Sequence, residues 1–254
     1  MRNITTKQKI VELIRANQCI TAKGIISGLG LTKAIIFRHL RDLLDKKEII
    51  KIGKTPKVKY FYQYDVAEKT NLEKIFFDWA ITGKIQEQEK KFLCPARDVF
   101  YAREQKLLVS LKNMVNENLL YLLVGAASEI GNNSFDHNLG NWIDEPGLLF
   151  AIDTETREIL LADRGAGVLF TIKQVRPQIA NSEDALRVAF TEIISGRYPE
   201  HRGNGLKYVK KIIQENNLYL EFYSGDAMIE ISKNNFLSKT TDYKIPGTLA
   251  IIKF

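Results

Sequence analysis

Apolar positions recur three and four residues apart through the first 46 residues, in three blocks. In TTKQKIVELIRANQ, Ile10, Leu13 and Ile14 fall on one helical face, with Thr5 or Thr6 able to cap it. ITAKGIISGLGL predicts a shorter apolar helix that stops at Gly28 or Gly30. TKAIIFRHLRDLLDKKE starts at a cap-competent Thr32 and sets Ile36, Leu40, Leu43 and Leu44 on a buried stripe, with Lys33, Phe37, Arg38 and Arg41 opposite. Phe37 either meets a ligand from that polar face or finishes the core, and the core is the expectation. The period then shortens to two in EIIKIGKTPKVKYFYQY, which predicts two short strands around a GKTPK turn.

Residues 63–114 read as a helical connector, broken at Gly83 and Pro95. Its aromatic residues Phe76, Phe77, Trp79, Phe92, Phe100 and Tyr101 argue for packed structure over a loose tether. Three roles fit it: a signalling helix, a dimerisation element, or the first layer of the domain that follows. From Leu119 the helical period returns, and Leu119, Leu120, Leu123, Val124, Ala127 and Ile130 face a core. Along the same helix Glu129, Asn133 and His137 advance by about 40° per four residues, because each residue turns about 100°, so they form one polar strip with Asn132 beside it. EILLA reads as a buried strand running into Asp163, Gly165 and Gly167. Glycines at alternate positions let backbone approach a ligand, and a carboxylate ahead of them can accept from an exocyclic amine. Further on, HRGNGLKYVKKIIQE places Gly203 and Gly205 at the opening of an amphipathic helix, where N–H groups and the helix dipole suit a phosphate.

Charge divides the chain. Residues 1–62 carry 14 Lys and Arg against 4 Asp and Glu, a net of +10, while the whole chain is +7, so the remainder is −3. A basic head on a mildly acidic body predicts two domains with different partners, and double-stranded DNA is the first candidate for the head. No apolar run approaches the roughly 20 residues of a membrane-spanning helix. The first residues lack the apolar stretch of a signal peptide, and Cys19 and Cys94 have neither disulfide nor zinc spacing. A cytoplasmic protein with no membrane contact is therefore expected.

The order of elements in residues 1–62 resembles a bacterial winged helix-turn-helix domain. That resemblance implies that the third helix enters the major groove, with Lys33, Arg38, His39 and Arg41 reaching bases or phosphates. Lys54, Lys57 and Lys59 on the wing would hold the backbone. It also makes dimerisation the favoured role for the connector, since such domains often read two half-sites. Residues 115–254 resemble the GHKL ATPase superfamily, the Bergerat nucleotide-binding fold. The match rests on E-x-x-x-N on a helix, D-x-G-x-G after a strand, G-x-G-L opening a helix, and the Gly247-Thr248 pair before a closing strand. The implied fold class is α+β, with a winged helix-turn-helix followed by an α/β sandwich whose mixed sheet is covered by helices on one face.

The same resemblance implies ATP and Mg²⁺ as cofactors. Asn133 would ligate Mg²⁺ and Glu129 would orient or deprotonate an attacking water or hydroxyl. Asp163 would read the adenine amine, Gly165 and Gly167 would let the base lie close, and Thr248 would join that pocket. Gly203 and Gly205 would hold phosphates under a lid of residues 168–202, from which Arg202 or His201 could reach the terminal phosphate, with His137 nearby. Two positions depart from the pattern: Asp136 stands where histidine kinases usually have a basic residue, and Lys207 stands where a further glycine is common. Three functions fit: a transcriptional regulator whose DNA binding is gated by ATP, a protein serine/threonine kinase or anti-sigma-like switch, and a non-catalytic, antitoxin-like interaction module.

Overall fold

The computed structural model describes residues 5–17, 20–46, 48–52, 58–62, 69–192 and 205–254. The chain divides into two compact units, Met1–Lys69 and Thr70–Phe254.

The first unit holds α1 (Thr6–Asn17), α2 (Ala22–Leu29), α3 (Lys33–Asp45), β1 (Ile49–Ile52) and β2 (Lys59–Tyr62). Side-chain oxygens start two of the helices: Thr21 accepts from the Gly24 N–H at 3.1 Å, and Thr32 accepts from the Ile35 N–H. Ile10, Ile14, Ile25, Ile36, Leu40, Leu43, Ile49 and Tyr60 form the core, so the apolar stripes of all three helices close on one another and on the hairpin. β1 and β2 pair antiparallel, Ile49 opposite Tyr62 and Ile52 opposite Lys59. Ile20, between α1 and α2, exchanges two backbone hydrogen bonds with Tyr60 at 3.0 and 2.8 Å, which ties the hairpin to the helices.

The second unit opens with α4 (Asn71–Thr82), a 3₁₀ turn at Glu87–Phe92, β3 (Leu93–Cys94), α5 (Arg97–Leu111) and α6 (Glu117–Asn138). It continues through β4 (Leu148–Asp153), β5 (Glu158–Asp163), α7 (Gly167–Val175), α8 (Ser182–Thr191), α9 (Gly205–Glu215), β6 (Tyr219–Ser232) and β7 (Asn235–Lys253). α4, β3 and α5 come from the segment expected to connect two domains, and they pack as part of this unit.

The five strands run in the order β3-β4-β5-β7-β6, and every neighbouring pair is antiparallel. The sheet is therefore not the mixed one expected. Two of its pairs, β4–β5 and β6–β7, are hairpins joined by short turns, a connection that permits only antiparallel pairing.

Cover on one face is also corrected. Ile159 and Leu161 of β5, with Ala250 and Ile252 of β7, face a layer built from α5, α6, α8 and α9. Leu160 and Ala162, with Leu249 and Ile251, face the other side, where Phe76, Phe77, Trp79 and Ala80 of α4 cover them. A strand apolar on both faces requires cover on both, and the aromatic residues of α4 supply it. Phe77 meets Tyr223 and Tyr243 edge-on, at ring-centroid distances of 5.0 and 5.8 Å.

α5 and α6 approach closely where Gly131 meets the buried Phe100 ring; a β-carbon on Gly131 would overlap that ring. In an exposed helix Gly→Ala stabilises by about 1 kcal/mol. Here Gly131→Ala should instead destabilise by about 1–3 kcal/mol through overpacking, read as a lower midpoint of urea unfolding. An unchanged or raised midpoint would mean that α5 yields freely.

Candidate functional site

α6 is capped by Asn116, whose side chain accepts from the Leu119 N–H at 2.9 Å, and it runs unbroken past the polar strip. Glu129 and Asn133 are half-buried on it, and His137 is exposed at its far end. α9 begins beside the strip. A β-carbon on Gly205 would lie 2.5 Å from Glu129 Oε2 and 3.6 Å from Asn133 Nδ2. Glycine at that position thus lets the start of α9 come against a carboxylate and an amide from a helix more than 70 residues earlier in the chain.

Asp163 ends β5 and is buried. Its Oδ1 accepts from the Gly165 N–H at 2.9 Å and from Asn138 Nδ2 at 3.1 Å. Oδ2 accepts from the Ser134 hydroxyl at 2.9 Å and from the hydroxyl of Thr248, its neighbour across the β5–β7 ladder. Burial pushes the Asp163 carboxyl above its ordinary range, against the pull of these four donors.

The surrounding backbone is close-fitted. A β-carbon on Gly165 would overlap the Asn138 amide, and one on Gly247 would overlap Asp163. Gly167 has φ of 77°, a left-handed conformation that favours glycine. The Ser224 hydroxyl accepts from the Val168 N–H at 2.9 Å and donates to the Gly247 carbonyl at 2.8 Å, which fixes the start of α7 to β6 and β7.

The structure thus brings Glu129, Asn133 and Gly205 together, and separately Asp163, Gly165, Gly167 and Thr248, with α6 running through both groups. Arg202, Gly203 and His201 lie outside the described residues, as do Lys54 and Lys57. The lid expected over residues 168–202 is corrected for its first part: through Thr191 the chain forms α7 and α8, and Leu186 and Phe190 of α8 are fully buried in the core. Asp136, the acidic departure from the histidine-kinase pattern, pairs with Arg97 of α5. Lys207 donates to the Glu192 carbonyl at 2.5 Å, and burial lowers its pKa.

In the first unit, Lys33, Arg38 and Arg41 are exposed on α3, His39 is half-buried and Lys59 is exposed on β2. Phe37 is not a core residue. It is 39% exposed, and the Lys33 ammonium lies 5.8 Å from its ring centroid. Ile36 and Leu40 already fill the helix's inward stripe, so the position next to them turns out.

Sequence reasoning missed Ser134, Asn138, Ser224 and Arg164. Ser134 and Asn138 follow Asn133 and His137 by one residue, so they form a second four-residue repeat turned toward β5. That repeat was visible, but no single residue in it carried a distinctive chemistry. Arg164 is buried; Nε and Nη2 hold Asp144, the latter at 2.6 Å, and Nη1 donates to the Trp79 and Ala80 carbonyls at 3.1 and 2.8 Å. It fixes the end of α4 and the loop before β4 behind the site. The same contact holds the Asp144 carboxyl below its usual range.

No protein-family model matches the chain, and a search of curated proteins returns no match. Among the described residues no helix is long and apolar enough to cross a membrane, and no group of three His, Cys, Asp or Glu side chains is placed to hold a metal ion.

Asp163→Ala would leave buried donors unpaired at about 1–3 kcal/mol each, so it should lower stability by about 3 kcal/mol or more. Asp163→Asn should cost much less, because its carbonyl can face Gly165 and its amide can donate to the Ser134 and Thr248 hydroxyls, which rotate to accept. The pH dependence has a defined sign. With its folded pKa raised, the native carboxyl binds its proton more tightly than the unfolded one. Wild-type stability relative to Asp163→Asn should therefore rise as pH falls through the folded pKa and level off below 3.8, the unperturbed value. Urea unfolding of both proteins across that range checks it; a difference that falls with acidity would mean the carboxyl is held ionised.

Proposed function

We propose that this protein is an ATP-binding regulator that binds double-stranded DNA, in which Mg·ATP in a Bergerat-type pocket of the second unit gates a winged helix-turn-helix in the first. One observation carries the reading: α6 joins Glu129 and Asn133, set against the glycine that opens α9, to the Asp163 cluster that Thr248 closes. The four short motifs are far apart in sequence and individually unremarkable, and they meet along one helix.

The chemistry fits the ligand. Mg²⁺ takes hard oxygen ligands and is usually held by one or two protein groups plus phosphates and water. The Asn133 amide and Glu129 carboxylate offer those oxygens beside the α9 N-terminus, where backbone N–H groups favour phosphate. When bound, the metal would neutralise phosphate charge; Asn133 would hold it and Glu129 would order water or a hydroxyl nearby. Next to them, toward the C-terminal end of α6, Asp163 would read the adenine amine. In the first unit, the exposed Lys33, Phe37, Arg38 and Arg41 of α3 give an outward basic face with an aromatic residue in it. That composition suits the major groove, where arginine and lysine reach guanine edges or phosphates and an apolar ring meets a thymine methyl.

A second reading rests on Glu129, which a purely nucleotide-sensing regulator does not need: transfer of the γ-phosphoryl group to a protein hydroxyl. Label appearing in a co-purifying protein, and lost with Glu129→Gln, would favour that reading.

Thermal unfolding of the full chain tests the pocket. At 100 times its Kd, Mg·ATP should add about 2.7 kcal/mol of stability, and Asn133→Ala should remove the magnesium-dependent part. Absence of any shift at millimolar nucleotide would sink the nucleotide reading. DNA binding is tested with duplexes selected by the full chain from a random pool, at fixed salt with and without Mg·ATP. A change of about tenfold, equivalent to about 1.4 kcal/mol of coupling, is expected. Lys33→Ala should weaken binding and reduce the salt slope by about 1. Equal affinity with and without nucleotide would remove the gate.

A further inference from the structure

Asp163 is saturated. A carboxylate offers about four acceptor positions, and Ser134, Thr248, Asn138 and the Gly165 N–H occupy them. A ligand amine can reach Asp163 only by displacing one of these donors. The Gly165 N–H is backbone, and Thr248 is tied to Asp163 across the β5–β7 ladder. Asn138 differs from the rest because its amide makes two contacts of opposite sense: Nδ2 donates to Asp163 Oδ1 at 3.1 Å, and Oδ1 accepts from the Ala166 N–H at 2.9 Å.

This is the hydrogen-bonding edge of adenine. The amide carries a donor and an acceptor on one sp² carbon, and adenine carries its exocyclic amine and ring N1 in the same relation. Hypoxanthine reverses the pattern, with an acceptor at the exocyclic position and a donor on the ring.

We propose that Asp163 Oδ1 and the Ala166 N–H form a two-point reader for the adenine edge, and that the Asn138 amide is an internal surrogate which the base must displace. The inference rests on the nucleotide reading above and assigns its specificity and its resting state. Asn138 is placed for such a role. It is the last residue of α6, followed by Leu139, 85% exposed, and by Gly140 with φ of 78°, so the residues directly after it lie outside the core. Ala166, Gly167 and Thr248 are only half-buried, which leaves the reader approachable from solvent.

Calorimetric titration of the full chain with Mg·ATP and Mg·ITP tests it. If the surrogate occupies the reader nine-tenths of the time, Asn138→Ala should bind Mg·ATP about tenfold tighter than wild type, and both proteins should prefer ATP to ITP. Binding by wild type with unchanged or weaker binding by a folded Asn138→Ala would overturn the surrogate while leaving the nucleotide reading intact. Equal affinity for ATP and ITP would overturn the reader. No binding of either nucleotide to either protein would overturn both readings. Should Asn138→Ala fail to fold, the wild-type side-chain amide resonance of Asn138 decides: it should shift on adding Mg·ATP, and an unmoved resonance at saturation would overturn the proposal.

Discussion

The second unit is organised around one buried carboxylate. Asp163 draws donors from α6, from the loop opening α7 and from β7, so three elements distant in sequence meet at two oxygen atoms. A carboxylate in an apolar interior is costly unless its acceptor positions are filled. That requirement determines what stands nearby. It calls for hydroxyls at Ser134 and Thr248, an amide at Asn138, and the backbone N–H of Gly165. The close fits at Gly165 and Gly247 follow, because side chains there would separate donor from acceptor. The sheet register is bound into the same cluster, since Thr248 reaches Asp163 only if β7 pairs with β5 as it does.

How much of this could be read from the chain depends on the range of the interaction. Local rules placed the helices: Thr32 caps α3 as expected, Thr21 and Asn116 obey the same rule, and the inward stripes of α3 and α6 are buried as the 3.6-residue period requires. EILLAD was legible as a buried strand because no residue between Glu158 and Asp163 breaks it. The same run showed that both faces needed cover, but it could not say that α4, some 80 residues earlier, would provide it. Strand direction was misjudged because it is settled by which strands become neighbours, and no residue encodes that alone.

The site divides in the same way. Glu129, Asn133, Asp163 and Gly205 stood out through motif spacing, which is local. Asn138 and Arg164 did not, since each matters through partners elsewhere: Asn138 through Asp163 and Ala166, and Arg164 through Asp144 and the carbonyls that end α4. Phe37 failed for a different reason. A phenylalanine beside an apolar stripe is ordinarily counted into the core, and only the filled interior around Ile36 and Leu40 shows that no room remained for it.

β5 carries a buried carboxylate at each end, and the second one has structural work of its own. Glu158 accepts from the hydroxyls of Thr70 and Thr156 and pairs with Lys253 at 2.9 Å; Lys253 also pairs with Glu73 at 3.0 Å. Burial works against the Lys253 charge, but Glu221, Glu158 and Glu73 outweigh it and hold the ammonium above its usual pKa. Thr70 and Glu73 form the capping box that starts α4, so the first turn of the second unit is fastened to the outer end of β5. Five residue steps, roughly 17 Å of extended strand, separate that point from Asp163. Under the proposed function a signal from the nucleotide must leave this unit, and a strand with apolar cover on both faces and ion-paired or hydrogen-bonded carboxylates at both ends moves as a rigid element or not at all. The freedom needed for gating therefore belongs outside β5, in groups such as the Asn138 turn that can exchange one partner for another.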